Sequence, residues 1–247
     1  MPNKIYLIPN TISDEAAFNS LPVYIGPAIE HVRFFAVEEE KAARRLLKKI
    51  HPQFPLEQTV LVKLNEHTKL QDVEKIFQEA GNQDIGIISE AGCPGVADPG
   101  AELVLLAHQK NWKVVPLVGP SAILLALMAS GLTGQNFCFH GYLPKEKDSR
   151  IQKIKTLEKR SALEHQTQIF METPYRNENV LEDILNCCDA NTYLTIACDL
   201  TAPMQFVKTL PIKEWKVREI SIHKRPTMFL LGKSAPLFKH KEGERGS

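Results

Sequence analysis

Short apolar runs rich in β-branched residues alternate along this chain with longer stretches of mixed polarity. Residues 4–9 (KIYLIP), 32–37, 59–64, 85–88 and 113–118 have the pattern of buried strands. A strand covered on both faces reads as continuous apolar sequence rather than as strict alternation. Residues 38–49 open with acids and close with bases, which complements a helix dipole, and Glu40 with Arg44 forms an i,i+4 pair. Residues 71–80 are amphipathic at helical spacing and stop at Gly81, and residues 101–109 give a further helix. Strands and helices in alternation predict a parallel sheet.

The second half starts near Gly119 and patterns differently. An apolar helix is predicted over residues 123–129, and strands over 137–140, 168–171, 194–197 and 227–231. On the helix predicted over 179–186, Leu181, Ile184 and Leu185 share a face. Residues 201–215 read as strand, turn and short helix, so this half is expected to hold a mixed sheet. The expected division is an α/β domain over 1–118, a second over 119–235, and a polar tail over 236–247 that frays.

The strand at 85–88 breaks into a loop with Gly92, Pro94, Gly95, Pro99 and Gly100, and the strand at 113–118 ends in Gly119-Pro120-Ser121-Ala122. Glycine lets a ligand approach the backbone, and proline removes freedom from the loop. Two such loops at strand carboxyl ends make the usual ligand position of an open α/β sheet.

Composition narrows the class. The 247 residues are 43% hydrophobic and 24% charged, with a net charge of +1, so no global field draws the protein to nucleic acid or membrane. Five cysteines, none in a CxxC pair, and no signal pattern at the start predict a reducing, cytoplasmic setting. The longest apolar run, residues 122–129, is too short to span a bilayer. Residues 145–160 carry Lys145, Lys147, Arg150, Lys153, Lys155, Lys159 and Arg160 against Glu146, Asp148 and Glu158. That is either a solvated helix or a local phosphate-contacting surface. No GxGxxG occurs, and Gly232-Lys233-Ser234 lacks the first glycine of a P-loop because position 227 is Thr. No His/Cys/Asp cluster has metal-ligand spacing.

SEAGCPGVADPG followed by VVPLVGPSA resembles the SDAGTPxxSDPG and VVPLPGPSA pair of the tetrapyrrole methylase superfamily. More narrowly, it is similar to the branch that methylates a ribose 2′-hydroxyl in small-subunit ribosomal RNA. FCFHGYLPKEK, IFMETPYR and ACDLT continue the resemblance, which covers nearly the whole chain. It implies a two-domain class III α/β fold, a homodimer, and S-adenosylmethionine held in the cleft between domains. The chain departs from the pattern at residues 9–14, where Pro9-Asn10-Thr11-Ile12-Ser13-Asp14 stands in place of a glycine-bearing loop. Further departures are Glu39, Lys41 and Asn65, in place of Asp, Arg and His.

By this resemblance the cofactor contacts are Ser89, Glu90, Gly92, Pro94, Val96, Asp98, Gly119, Pro120, Ser121, Ala122, Met171, Ala197, Pro226 and Thr227. Val96 and Met171 flank the adenine, and the helix start at 119–122 offers N–H groups to the methionyl carboxylate. A ribose hydroxyl needs a base to raise its alkoxide character. The candidates are Glu38, Glu66 and His67 in the first half, with Glu172 and Arg176 in the second. The expected partner is ribosomal RNA or a ribosomal subunit. The alternatives are a tetrapyrrole or other small-molecule acceptor, or a relative that binds the cofactor without catalysis.

Overall fold

The computed structural model describes residues 2–13, 20–65 and 67–233. The chain divides into two compact units, one running to Ser121 and including Thr201–Pro203, the other made of Ala122–Leu200 and the chain from Met204.

The first unit contains β1 (Lys4–Ile8), α1 (Ile25–Ile29), β2 (Phe34–Val37), α2 (Glu40–Ile50), β3 (Val60–Lys63), α3 (Leu70–Ala80), β4 (Ile85–Ile88), α4 (Ala101–Gln109) and β5 (Lys113–Pro116). The strands pair in the order β3-β2-β4-β1-β5, and each pairing is parallel. Neither α1 nor the 3-10 turn at Leu56–Gln58 was signalled by a periodic pattern, because both are under two turns long. The central strands β2 and β4 are wholly buried, whereas the edge strands β3 and β5 are not.

Alternation along β2 splits the core in two. Phe35 and Val37 pack with Tyr6, Ile8, Leu46 and Leu47, while Phe34 and Ala36 pack with Ile5, Ile87, Phe77 and Leu103. Gly86 belongs to β4 because a Cβ there would meet the Phe35 ring at 2.4 Å. Each fully buried Phe or Ile contributes roughly 1.5–3 kcal/mol relative to exposure. From β1 the chain leaves toward β2, and from β4 it leaves in the opposite direction toward β5. The carboxyl ends of β1 and β4 are therefore the switch point of this sheet.

The second unit contains α5 (Ala122–Ser130), β6 (Phe137–Tyr142), α6 (Lys147–Glu164), β7 (Thr167–Glu172), α7 (Asn177–Cys187), β8 (Tyr193–Cys198), β9 (Phe206–Pro211), α8 (Ile212–Trp215) and β10 (Thr227–Gly232). Its sheet runs β6-β7-β10-β8-β9, parallel between β6 and β7 and antiparallel elsewhere, the mixed sheet expected from the sequence. One face packs on α5, and the other packs on α6, α7 and α8.

The basic stretch at 145–160 needs a correction. Arg150, Ile154, Leu157 and Ser161 share the buried face of α6. Arg150 is 6% exposed, and its guanidinium pairs with Asp183 of α7 at 2.7 Å. It also donates to the Lys145 carbonyl at 2.7 Å. Helical spacing turned this base inward, where a carboxylate compensates it, so it is no phosphate contact. Lys145 and Lys147 remain exposed. Among the described residues, no helix is long and apolar enough to cross a membrane.

Candidate functional site

Two loops of the first unit meet at the switch point, and Asn10 ties them. Its side-chain amide donates to the carbonyls of Ser89 at 3.2 Å and Glu90 at 2.8 Å, and its backbone N–H donates to the Gly92 carbonyl at 2.8 Å. Asn10 is buried. The residues that replace the expected glycine loop thus hold the 89–92 loop through a side chain. An amide suits this because it carries both donors and an acceptor, and its Oδ1 takes the Thr11 N–H at 2.8 Å.

Glu38, just past β2, accepts the Glu90 N–H at 3.0 Å. Glu39 caps α2 instead, accepting from the N–H groups of Lys41 at 2.9 Å and Ala42 at 2.5 Å. Those backbone bonds hold its carboxyl below the ordinary value. Gly92 has φ +69, and a Cβ there would lie 3.5 Å from the Pro120 carbonyl, in the space where the two loops approach. The Cys93 thiol points at the same carbonyl, 3.4 Å away. Tyr24 steadies the second loop, its hydroxyl accepting the Val118 N–H at 2.9 Å. Gly119 touches Pro9 so closely that a Cβ would fall 2.1 Å from that ring. Pro94 is buried, Val96 is exposed, and Ser121 is the last residue before α5, which Ala122 opens.

The electrostatics of the loop are unusual for a near-neutral chain. Asp98 is pushed up to about 7, first by burial and then by the charge of Glu38, with the Ser89 hydroxyl opposing and Glu90 adding to the rise. Burial, then Asp98, also pushes the Cys93 thiol up. Three carboxyl groups beside a backbone cradle suit a cationic ligand. These are the acceptors and negative charges that a sulfonium, an ammonium and ribose hydroxyls require, so the residues present fit S-adenosylmethionine.

His67 lies in the turn after β3, its N–H bonded to the Asn65 Oδ1 at 3.0 Å, while the Thr68 hydroxyl takes the Asn65 N–H at 2.8 Å. Since β3 is two strands from β4, that turn stands about 10 Å along the sheet from the 89–92 loop. Glu66 lies outside the described residues.

In the second unit, Met171, Met228 and Ala197 are neighbours across β7, β10 and β8, and Thr227 is opposite both Glu172 and Cys198. Glu172 is buried and accepts from the Arg176 guanidinium and from the Thr173 N–H. Arg176 also donates to the Leu143 carbonyl at 3.4 Å, while its Nε is buried without a hydrogen-bond partner among the described residues. Asn177 donates to the carbonyl of Arg225 at 2.6 Å and to the Thr227 hydroxyl at 3.2 Å. The Pro226 carbonyl accepts from Asp199 at 2.9 Å. Met171, Glu172, Arg176, Ala197, Pro226 and Thr227 therefore form one group. Asn10, Tyr24 and Asn177 are the residues that sequence reasoning missed. The one signal for Asn10 was a polar residue directly after a strand, where a glycine was expected.

A family model described as "Tetrapyrrole (Corrin/Porphyrin) Methylases" matches residues 27–216. The chain is 28% identical over 231 residues to the ribosomal RNA small subunit methyltransferase I of Buchnera aphidicola subsp. Schizaphis graminum, covering 92% of this chain and 77% of the relative. With the protein of that name from Vibrio cholerae it shares 29% identity over 231 residues, 92% of this chain and 76% of the relative. Among solved structures, the methyltransferase CobJ shares the fold at a TM-score of 0.60 and 18% identity, covering 93% of this chain and 92% of that one.

Proposed function

Because the chain belongs to the tetrapyrrole (corrin/porphyrin) methylase family, we propose that it is an S-adenosylmethionine-dependent methyltransferase acting on a ribose 2′-hydroxyl of small-subunit ribosomal RNA. The observation that carries the reading is the joint arrangement of Asn10, Glu38 and Asp98 around the 89–92 loop. Relatives similar over 92% of the chain and named for small-subunit ribosomal RNA support the acceptor.

S-adenosylmethionine supplies a methyl group already activated on a sulfonium, so no metal is needed for the transfer. The chain's own residues bind, orient and exclude water. The backbone of 89–92 and 119–122 takes the polar parts of the cofactor, with Pro94 shaping the first loop. The carboxyl groups of Glu38, Glu90 and Asp98 face its positive charge. By the resemblance, Val96 in the first unit and Met171 in the second flank the adenine, and Ala197, Pro226 and Thr227 of the second unit are further cofactor contacts. Holding reactants in line at near-attack distance supplies roughly 7–11 kcal/mol. Proton removal from the acceptor hydroxyl falls to His67, Glu38 or Glu66, with Arg176 held ready by Glu172 to meet developing negative charge. A homodimer, and a cytoplasmic location where ribosomal subunits are found, belong to this reading.

The test is transfer of labelled methyl groups from S-adenosylmethionine by the pure protein. Label in ribosomal RNA, at a linkage resistant to alkaline hydrolysis, is the expected result. Label only in a small-molecule extract shifts the acceptor to a tetrapyrrole or a similar compound. Cofactor binding without transfer to either leaves a binding-only relative.

A further inference from the structure

Tyr175 occupies the turn between β7 and α7 and keeps 72% of its surface in solvent. Scattered exposed apolar residues need no explanation, but this ring is not alone. The Lys224 ammonium lies 5.7 Å from its centroid, and the His223 ring stands edge-on at 6.5 Å with an interplanar angle of 84°. The backbone beneath is tied, since the Lys224 N–H donates to the Pro174 carbonyl at 3.0 Å. Lys224 holds φ +59, in the left-handed region. Such a conformation is strained for a residue with a side chain and persists where surroundings fix it.

The charges around the ring do not cancel equally. Arg225 is taken up by Asp199 at 2.7 Å and by the Met204 carbonyl at 2.9 Å. The His223 Nδ1 stands 3.5 Å from a carboxylate oxygen of Glu178. Lys224 has a ring beside it but no carboxylate within 4.0 Å among the described residues. An exposed aromatic ring on a fixed turn, with a cation over it, supplies the aromatic surface and the positive charge that an unpaired base and its phosphate require. Bases in single strands stack on aromatic side chains, and lysine meets the backbone.

We propose that Tyr175, Lys224 and His223 form a stacking platform for one unpaired base of the RNA substrate, with the Lys224 ammonium on the adjoining phosphate. This rests on the ribosomal RNA reading above.

The experiment measures binding of the full chain to a labelled single-stranded RNA of about twelve nucleotides and to the matching duplex, across a salt series. Tyr175→Ala is expected to weaken single-strand binding about 5- to 150-fold, the range for one stacked base. Tyr175→Trp should stay within about twofold of wild type, since any aromatic face stacks. Lys224→Gln should reduce the salt slope by about one phosphate contact. With ribosomal subunits as substrate, Tyr175→Ala should raise KM and leave kcat unchanged. Wild-type RNA binding that is indifferent to Tyr175→Ala overturns the platform and leaves the RNA reading standing. Equal losses for single strand and duplex overturn base stacking. A wild-type protein that neither binds RNA nor methylates subunits overturns the reading itself, and the platform with it.

Discussion

The side-chain amide of Asn10 donates to the Glu90 carbonyl at 2.8 Å, joining the end of β1 to the loop after β4 across eighty positions of sequence. That bond and its neighbour to Ser89 set the shape of the loop on which the proposed cofactor site depends. In Asn10→Ala, two carbonyls lose their donor, that of Ser89 in a buried place and that of Glu90 in a half-buried one, and stability is expected to fall by about 1–3 kcal/mol. Urea unfolding measures this. Unchanged stability would show that water replaces the amide without loss.

Gly92→Val places a β-branched residue at φ +69 and a side chain beside the Pro120 carbonyl. The expected result is a folded protein whose calorimetric affinity for S-adenosylmethionine is lost. Unchanged affinity in a folded variant would move the cofactor away from this loop.

Asp98 gives a pH signature. Its carboxyl is raised from 3.8 to about 7, so between those values the folded state keeps a proton that the unfolded chain has released. Stability from this group is therefore lost as pH rises through that window and is level above it. Asp98→Asn removes the effect. Its melting temperature relative to wild type should rise from about pH 5 to about pH 7 and then stay constant. A difference independent of pH would place Asp98 in a water-like environment.

Arg150 and Lys147 separate fold from surface. Arg150→Ala leaves the buried Asp183 carboxylate with only the exposed Lys147 ammonium, 3.9 Å away, among the described residues, for a cost of about 3 kcal/mol. The double reversal Lys145→Glu with Lys147→Glu acts on two exposed side chains and should melt closer to wild type than Arg150→Ala, losing the 3.9 Å contact of Lys147 with Asp183. It should also flatten the salt dependence of RNA binding by about two contacts. RNA affinity unmoved by that reversal would remove α6 from the RNA surface.

His67→Ala tests the proposed base. The residue is exposed, so the variant should melt like wild type and bind cofactor normally. A general base contributes about 10²–10⁴-fold, and methyl transfer should slow by at least about a hundredfold. A normal rate with a lowered melting temperature would make His67 structural.

Local chemistry made much of this protein legible in its sequence. Apolar runs placed β2 and β4 because both their faces are covered, and the glycine and proline loops after β4 and β5 marked where a ligand could approach. The charge order of residues 38–49 yielded α2, and the Glu40–Arg44 pair forms at 2.8 Å. Other properties belong to no single segment. Asn10 looked like a lost glycine loop, because its partners at 89–92 are set by strand order. Arg150 counted among exposed bases, because only the docking of α6 on α7 shows which face is buried and brings Asp183 to it. Asp98 stood in the sequence as a cofactor contact with nothing to mark its raised pKa, because that arises from burial and from Glu38, which β2 carries to the same end of the sheet. Sequence determines what a segment can form from its neighbours along the chain. Register and packing decide which distant groups meet, and with them hydrogen-bond partners, charge and proton affinity.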